Sequence, residues 1–340
     1  MPDADPGRSS FVPAAAGPTG AVGELWRVTT TTDLSGPVLA DGTVYVGGAD
    51  GTLLALDARD GAERWRTSVG AAADTPWVLD GDVYVPAAGS IVALDAADGS
   101  ERWRAETLGR DAVLVASHGV YWISGRAAPT VVALARADGS ERWRTDLRDP
   151  WEPHLFASDE SLFVSSGTNG RIPWTLDPGT GEAVGDTPES GYDFPAERFH
   201  LDGTVYAVDS FFGNVAARPV DGGQGWTQGV DALGEFALSG GPEHVYYVAN
   251  EGETPGLYAL SRMDGTIEWT VEMDPGSVDR PVVANECVLV RGDGRLRCFD
   301  PADGSERWSR PGDDVGTRFL VVDDLLYTTR DDVVLAFRSS

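Results

Sequence analysis

The sequence predicts an all-β, eight-bladed β-propeller of four-stranded blades, closed by the pairing of its two chain ends. Three observations predict it: an eleven-residue segment ending in Trp recurs, its copies are almost evenly spaced, and the fragments at the two termini complete one another. The clearest copies are ALDARDGAERW (Ala55 to Trp65), ALDAADGSERW (Ala93 to Trp103) and ALARADGSERW (Ala133 to Trp143). Weaker ones run from Ala216 to Trp226, Ala259 to Trp269 and Cys298 to Trp308, and a degenerate one from Thr175 to Gly185. With Trp26 added at the front, the anchors at 26, 65, 103, 143, 185, 226, 269 and 308 are 38 to 43 residues apart. A period of about 40 residues is that of a four-stranded blade.

Residues 1–22, rich in Pro, Ala, Gly and Ser, are expected to form a flexible tail, and residues 23–340 a single propeller. Within each unit an apolar stretch leads to a turn, a strand such as Thr43 to Val46, a Gly/Asp turn and a strand such as Leu53 to Leu56. Alternation bounded by Asp-Gly or Gly-Asp is a hairpin signal. The same strand recurs at Val83 to Val85, Val120 to Trp122, Leu162 to Val164, Val205 to Ala207, Val245 to Tyr247, Val288 to Val290 and Leu325 to Tyr327, giving eight hairpins for eight anchors. The last unit stops at Ala336-Phe337-Arg338 before reaching a Trp, whereas the first begins with Gly-Glu-Leu-Trp at 23–26. Together the two fragments complete one blade, and closing the ring removes the open sheet edges that invite aggregation.

The repeated residue types have physical reasons. Gly at position seven (Gly61, Gly99, Gly139, Gly181, Gly222, Gly265, Gly304) suits a turn needing positive φ. Position one is Ala in six of eight units, which implies a neighbour too close for a larger side chain. Regular recurrence makes the tryptophans inter-blade packing rather than a ligand-stacking set. The pattern Ala-x-Asp-x-x-(Thr/Asp)-Gly-x-x-x-Trp resembles the tryptophan-docking repeat of the PQQ-like propeller family, over nearly all of residues 23–338. That family includes quinoprotein alcohol and glucose dehydrogenases and the outer-membrane assembly lipoprotein BamB. For the dehydrogenases the resemblance implies PQQ with calcium, an adjacent Cys-Cys disulfide, a Glu/Asn/Asp calcium site and long insertions. This chain departs from them: Cys287 and Cys298 lie eleven residues apart, and insertions are minimal. Whether these two pair depends on a hairpin register that the sequence leaves open.

Composition narrows the function. Acidic residues outnumber basic ones 54 to 26, for a net charge of −28, and every basic residue is Arg. Such a surface repels nucleic acid and anionic lipid, and its bias suggests a halophilic source, since molar salt shortens the Debye length to about 3 Å. No apolar run approaches the about 20 residues of a membrane helix. The missing export signal implies a cytoplasmic protein, or an extracytoplasmic one if a leader preceded Met1, and a monomer is expected. No haem-attachment, phosphate-loop, zinc-helix or nucleophile-elbow motif is present, and His118, His154, His200 and His244 sit in four different repeats.

The expected activity is therefore non-catalytic binding of a protein or small ligand, with no cofactor; a PQQ-dependent quinoprotein-type oxidoreductase is the alternative the resemblance implies. Two candidate sites emerge. Acidic residues recur just after the anchors, at Asp33, Asp74, Asp111, Glu152, Glu197, Glu235 and Asp279, with Arg198, Arg280 and Arg318 nearby. In a propeller these positions ring the mouth of the central channel, either as a cation or polar-ligand site or as ordinary hydrated surface. Residues 151–212 hold ten of the 31 aromatics, among them Trp151, Tyr192, Phe194, Phe211 and Phe212. With His154, Arg198 and Asn214 they form either a binding face or packing that replaces the Trp absent at Gly185.

Overall fold

The computed structural model describes residues 11–12, 17–107, 113–124, 129–147, 154–158, 160–165, 174–184, 198–208, 213–219, 223–230, 232–252, 254–274, 280–316 and 318–339. Eight sheets follow one another around a ring, antiparallel throughout the described residues except for one short parallel strand added to the seventh. Blade 1 runs from its innermost strand Val38–Ala40 through Thr43–Gly47 and Thr52–Asp57 to its outermost strand Glu63–Ser68. Blade 2 begins at Trp77–Leu79, blade 3 at Val113–Ala116, blade 4 at His154–Ala157, blade 5 at Arg198–Leu201, blade 6 at Ala232–Gly240 and blade 7 at Val282–Ala284. Blade 8 joins Arg318–Val322, Leu325–Arg330 and Val333–Ser339 to the N-terminal strand Val22–Thr29, so the expected closure is present. Blade 4 has three strands among the described residues, its third being Trp174–Leu176.

The repeat works as a dock between blades. Six of the seven repeat Trp indole N–H groups donate to the position-four carbonyl of the next blade: Trp26 to Ala58 at 3.0 Å, Trp65 to Ala96 at 2.9 Å, Trp103 to Arg136 at 2.7 Å and Trp143 to Pro178 at 3.1 Å. Trp226 reaches Arg262 and Trp269 reaches Pro301, both at 2.9 Å. The ring lies flat on the position-seven glycine: a Cβ on Gly99 would fall 2.6 Å from Trp65 Cε3, and the Gly99 φ is +72°. Both the backbone and the neighbour therefore exclude a side chain there. The position-one alanines Ala55, Ala93, Ala133, Ala216, Ala259 and Ala336 are all buried.

A second aromatic row accompanies the first. A Tyr on the second strand of six blades stands 5.7 to 6.2 Å from the Trp of its own blade: Tyr327, Tyr45, Tyr84, Tyr121, Tyr206 and Tyr246. Tyr45, Tyr121 and Tyr327 share the docked carbonyl, donating to Ala96, Pro178 and Ala58. The docking turns are further tied by their carboxylates. Hydrogen bonds from the Arg64 guanidinium and then the Arg59 backbone N–H hold Asp57 below the usual carboxylate range, and the Ala97 N–H and then Arg102 do the same for Asp95.

In the segment expected to be a loose tail, Phe11–Val12 runs parallel to Val283 and Ala284, and the Gly20 N–H donates to Ser339 Oγ. Pro18 supplies the carbonyl that accepts the Trp308 indole N–H. The segment thus completes the last docking turn, and the closing strand starts at Val22. Cys287 and Cys298 form a disulfide, Cα to Cα 5.8 Å, linking the second and third strands of blade 7, with both residues buried.

Candidate functional site

On the upper face, where each outermost strand hands over to the next innermost one, a cavity of about 390 Å³ opens among blades 8, 1, 2 and 3. Its lining includes Asp33, Asp74 and Arg318, with Ser35, Ala73, Ala87, Ser90 and Trp122. Main-chain hydrogen bonds hold the loops that carry the two carboxylates. The Ala49 N–H donates to the Asp33 carbonyl at 2.9 Å, the Asp74 N–H to Pro86 at 2.9 Å and the Ala73 N–H to Gly48 at 3.0 Å. Thr329 Oγ1 donates to the Ser35 carbonyl at 2.8 Å, so blade 8 braces the same loop. Small side chains at Ala72, Ala73, Ala87 and Ala88 leave the space open.

Trp122 adds an aromatic wall. It is buried, it lines the cavity, and its indole N–H has no hydrogen-bond partner among the described residues. The nitrogen itself is enclosed, so the ring offers the cavity an apolar aromatic wall and not a hydrogen-bond donor. Two carboxylates and one guanidinium, beside an aromatic wall, can hold a small ligand that carries a cationic group.

Of the expected channel-mouth set, Asp33, Asp74 and Arg318 meet in this cavity, and Arg280 lies just before the innermost strand of blade 7. Glu235 lies within the innermost strand of blade 6. Asp111, Glu152, Glu197 and Asp279 lie outside the described residues, as do Trp151, Tyr192, Phe194, Phe211 and Phe212 of the aromatic set. His154 and Arg198 open the innermost strands of blades 4 and 5, and Asn214 opens the third strand of blade 5, which places all three at the upper rim. Sequence reasoning missed Trp122; the available signal was a Trp on the second strand immediately after the Tyr of the recurring row.

A family model described as "Outer membrane protein assembly factor BamB" matches residues 10–126, 87–184 and 201–340. The chain belongs to this family. The matches leave residues 185–200 unmatched, the stretch that begins at the degenerate anchor Gly185. Among solved structures, BamB from Moraxella catarrhalis aligns at TM-score 0.69 and 18% identity, over 94% of this chain and 100% of that one. The quinohemoprotein alcohol dehydrogenase ADHIIG from Pseudomonas putida HK5 aligns at TM-score 0.72 and 14% identity, over 99% of this chain and 81% of that one. The computationally designed Ika8 protein aligns at TM-score 0.73 and 16% identity, over 93% of this chain and 99% of that one. These likenesses establish the fold alone. The serine/threonine-protein kinase AfsK of Streptomyces griseus is 45% identical over 76 residues, 19% of this chain and 9% of that protein. The chain thus matches a small fraction of that curated relative's length.

The calcium and quinone of the dehydrogenase branch find no matching donor set among the described residues. No group of three or more His, Cys, Asp or Glu there could hold a metal ion, Arg318 stands in the cavity with the two carboxylates, and the disulfide is buried in blade 7. Among the described residues no helix is long and apolar enough to cross a membrane.

Proposed function

We propose that this chain is a non-catalytic binding propeller whose upper-face cavity takes a small ligand bearing a cationic group. The observation that carries this reading is the convergence of Asp33, Asp74 and Arg318 beside the Trp122 ring in one cavity of about 390 Å³. The volume falls within the about 300–1,000 Å³ range of small-molecule sites. The upper rim at His154, Arg198 and Asn214, with Trp151, Tyr192, Phe194, Phe211 and Phe212, is proposed as the partner-facing side of the same scaffold. The Arg-only, acid-rich composition supports a surface adapted to high salt.

The test is a melting curve and a calorimetric titration with three probes: putrescine, 4-aminobutyrate, and PQQ with Ca²⁺. Putrescine or 4-aminobutyrate is expected to raise the melting temperature, as any ligand selective for the folded state does. The D33N/D74N variant is expected to weaken that binding at least tenfold. A bound-quinone absorbance with PQQ and Ca²⁺, or unchanged amine binding by D33N/D74N, overturns the reading.

A further inference from the structure

The lower face carries a different site. Where blade 2 meets blade 3, the groove is filled by an arginine from the position-four residue of the docking turn. Arg136 donates from Nε to Tyr84 Oη at 3.1 Å, from Nη2 to Asp80 Oδ2 at 2.9 Å and from Nη1 to the Ser117 carbonyl at 3.0 Å. The junction of blades 5 and 6 repeats the arrangement. There Arg262 donates from Nε to Tyr206 Oη at 3.1 Å, from Nη2 to Asp202 Oδ2 at 2.9 Å and from Nη1 to the Gly241 and Pro242 carbonyls at 3.1 and 3.0 Å. In both cases the guanidinium is held by the second-strand Tyr, by a carboxylate in the hairpin turn below it and by a carbonyl in the corresponding turn of the next blade.

At the junction of blades 6 and 7 the position-four residue is Pro301, which still accepts the Trp269 indole N–H but has no cation to place. The equivalent groove is open, a cavity of about 360 Å³ lined by Glu243, Tyr246, Asn285, Glu286, Pro301 and Arg307, among others. The framework is kept in part: Pro242 stands four residues before the Tyr, where Asp80 and Asp202 stand at the other two junctions, and the carboxylate of this turn is Glu243, one residue on. Tyr246 is the Tyr of the row, Glu243 lies in the hairpin turn preceding it, and Asn285 and Glu286 form the turn of the next blade. Among the described residues Tyr246 Oη reaches only His244 Nδ1, at 3.5 Å, although Tyr246 is fully buried. His244 is itself anchored through Nε2 to Glu268 at 2.8 Å, and Arg307 is held by Asp300 at 2.7 Å. Glu243 and Glu286 therefore add two carboxylates to a groove whose counterparts each hold a guanidinium.

We propose that this groove is a receptor for the guanidinium of an arginine on a partner polypeptide, bound over Tyr246 by Glu243 and the Asn285–Glu286 turn, as Arg136 and Arg262 are bound by a carboxylate of the preceding blade and a turn carbonyl at their own junctions. A planar donor set matches a carboxylate and a carbonyl together, which an ammonium does not. A chain of net charge −28 favours basic partners.

The experiment uses the whole chain in one buffer and measures binding of Ac-Gly-Arg-Gly-NH2, Ac-Gly-Lys-Gly-NH2, the citrulline peptide and free argininamide. The Arg peptide is expected to bind at least tenfold more tightly than the Lys and citrulline peptides. P301R, which supplies a guanidinium at the position that carries Arg136 and Arg262 elsewhere, is expected to keep or raise the melting temperature while losing Arg-peptide binding tenfold or more. E243Q is expected to weaken it without unfolding the chain. Equal binding of Arg and Lys peptides, no binding of either, or full binding by a folded P301R overturns the proposal. Free argininamide binding as tightly as the peptide overturns the polypeptide source. D33N/D74N is expected to leave Arg-peptide binding intact, which separates this site from the upper cavity.

Discussion

His200 shows how a single burial choice becomes a pH dependence. It sits on the innermost strand of blade 5, stacked on Phe163 with ring centroids 5.4 Å apart, and its Nε2 has no hydrogen-bond partner among the described residues. Desolvation disfavours the imidazolium, so its pKa is lowered from 6.5, only partly offset by Asp202. The unfolded chain therefore binds more protons than the folded one below the unfolded value. Stability contributed by the neutral ring is complete above about pH 6.5 and is lost as pH falls toward the lowered folded value, at most about 1.4 kcal/mol per pH unit. Replacing His200 with Phe should preserve the stack and flatten the melting temperature between pH 6.5 and 5. An unchanged slope in that window would place the acid sensitivity elsewhere.

At the scale of blades and turns, the legible features were those repeated within one blade's own sequence. Ala, Gly and Trp recur at fixed offsets and disclosed the strands, the docking turns and the period. The partners of those turns were not legible, because they lie one blade away: Tyr45 donates to a carbonyl 51 positions on, and Arg136 reaches back 52 positions to Tyr84. Position four itself varies among Ala, Pro and Arg, so no periodicity flags the grooves it fills or leaves open. The Cys287–Cys298 pairing was likewise hidden, since Cys298 lies opposite Leu289, two residues beyond Cys287. The upper cavity was half legible: its carboxylates follow the anchors, but the alanines that make its space follow no pattern. If Arg136 ties blades 2 and 3 as its contacts indicate, Arg136→Met should cost about 1–2 kcal/mol, the net value of its hydrogen bonds to Tyr84 and Ser117 with little added by the exposed Asp80. A melting temperature unchanged by this substitution would show that the Trp docks alone set the junction.

For the whole molecule the governing conflict is between a closed ring and its own charge. Closure rests on contacts made by the N-terminal segment, chief among them the strand Val22–Thr29 against Val333–Ser339 and the Pro18 carbonyl beneath Trp308. Against this stands a net charge of −28. The Arg–Glu pairs on outer strands, such as Arg66 with Glu63 and Arg144 with Glu141 at 2.7 and 2.6 Å, are exposed and contribute little each. Repulsion among the remaining carboxylates therefore has to be relieved by ions. At 0.01 M salt the Debye length is about 30 Å and charges across several blades interact, whereas at 1 M it is about 3 Å and they do not. Simple screening is nearly complete by that point. A surface adapted to high salt makes a further demand: the melting temperature should keep rising from 1 to 3 M KCl, and in dilute buffer the ring should open at its closing blade first. Hydrogen exchange would then show Val22–Thr29 losing protection before the strands of blade 2 as salt is removed. A melting temperature that levels off by 0.5 M KCl would reduce the effect to ordinary screening, and uniform loss of protection around the ring would refute the closing blade as the weak point.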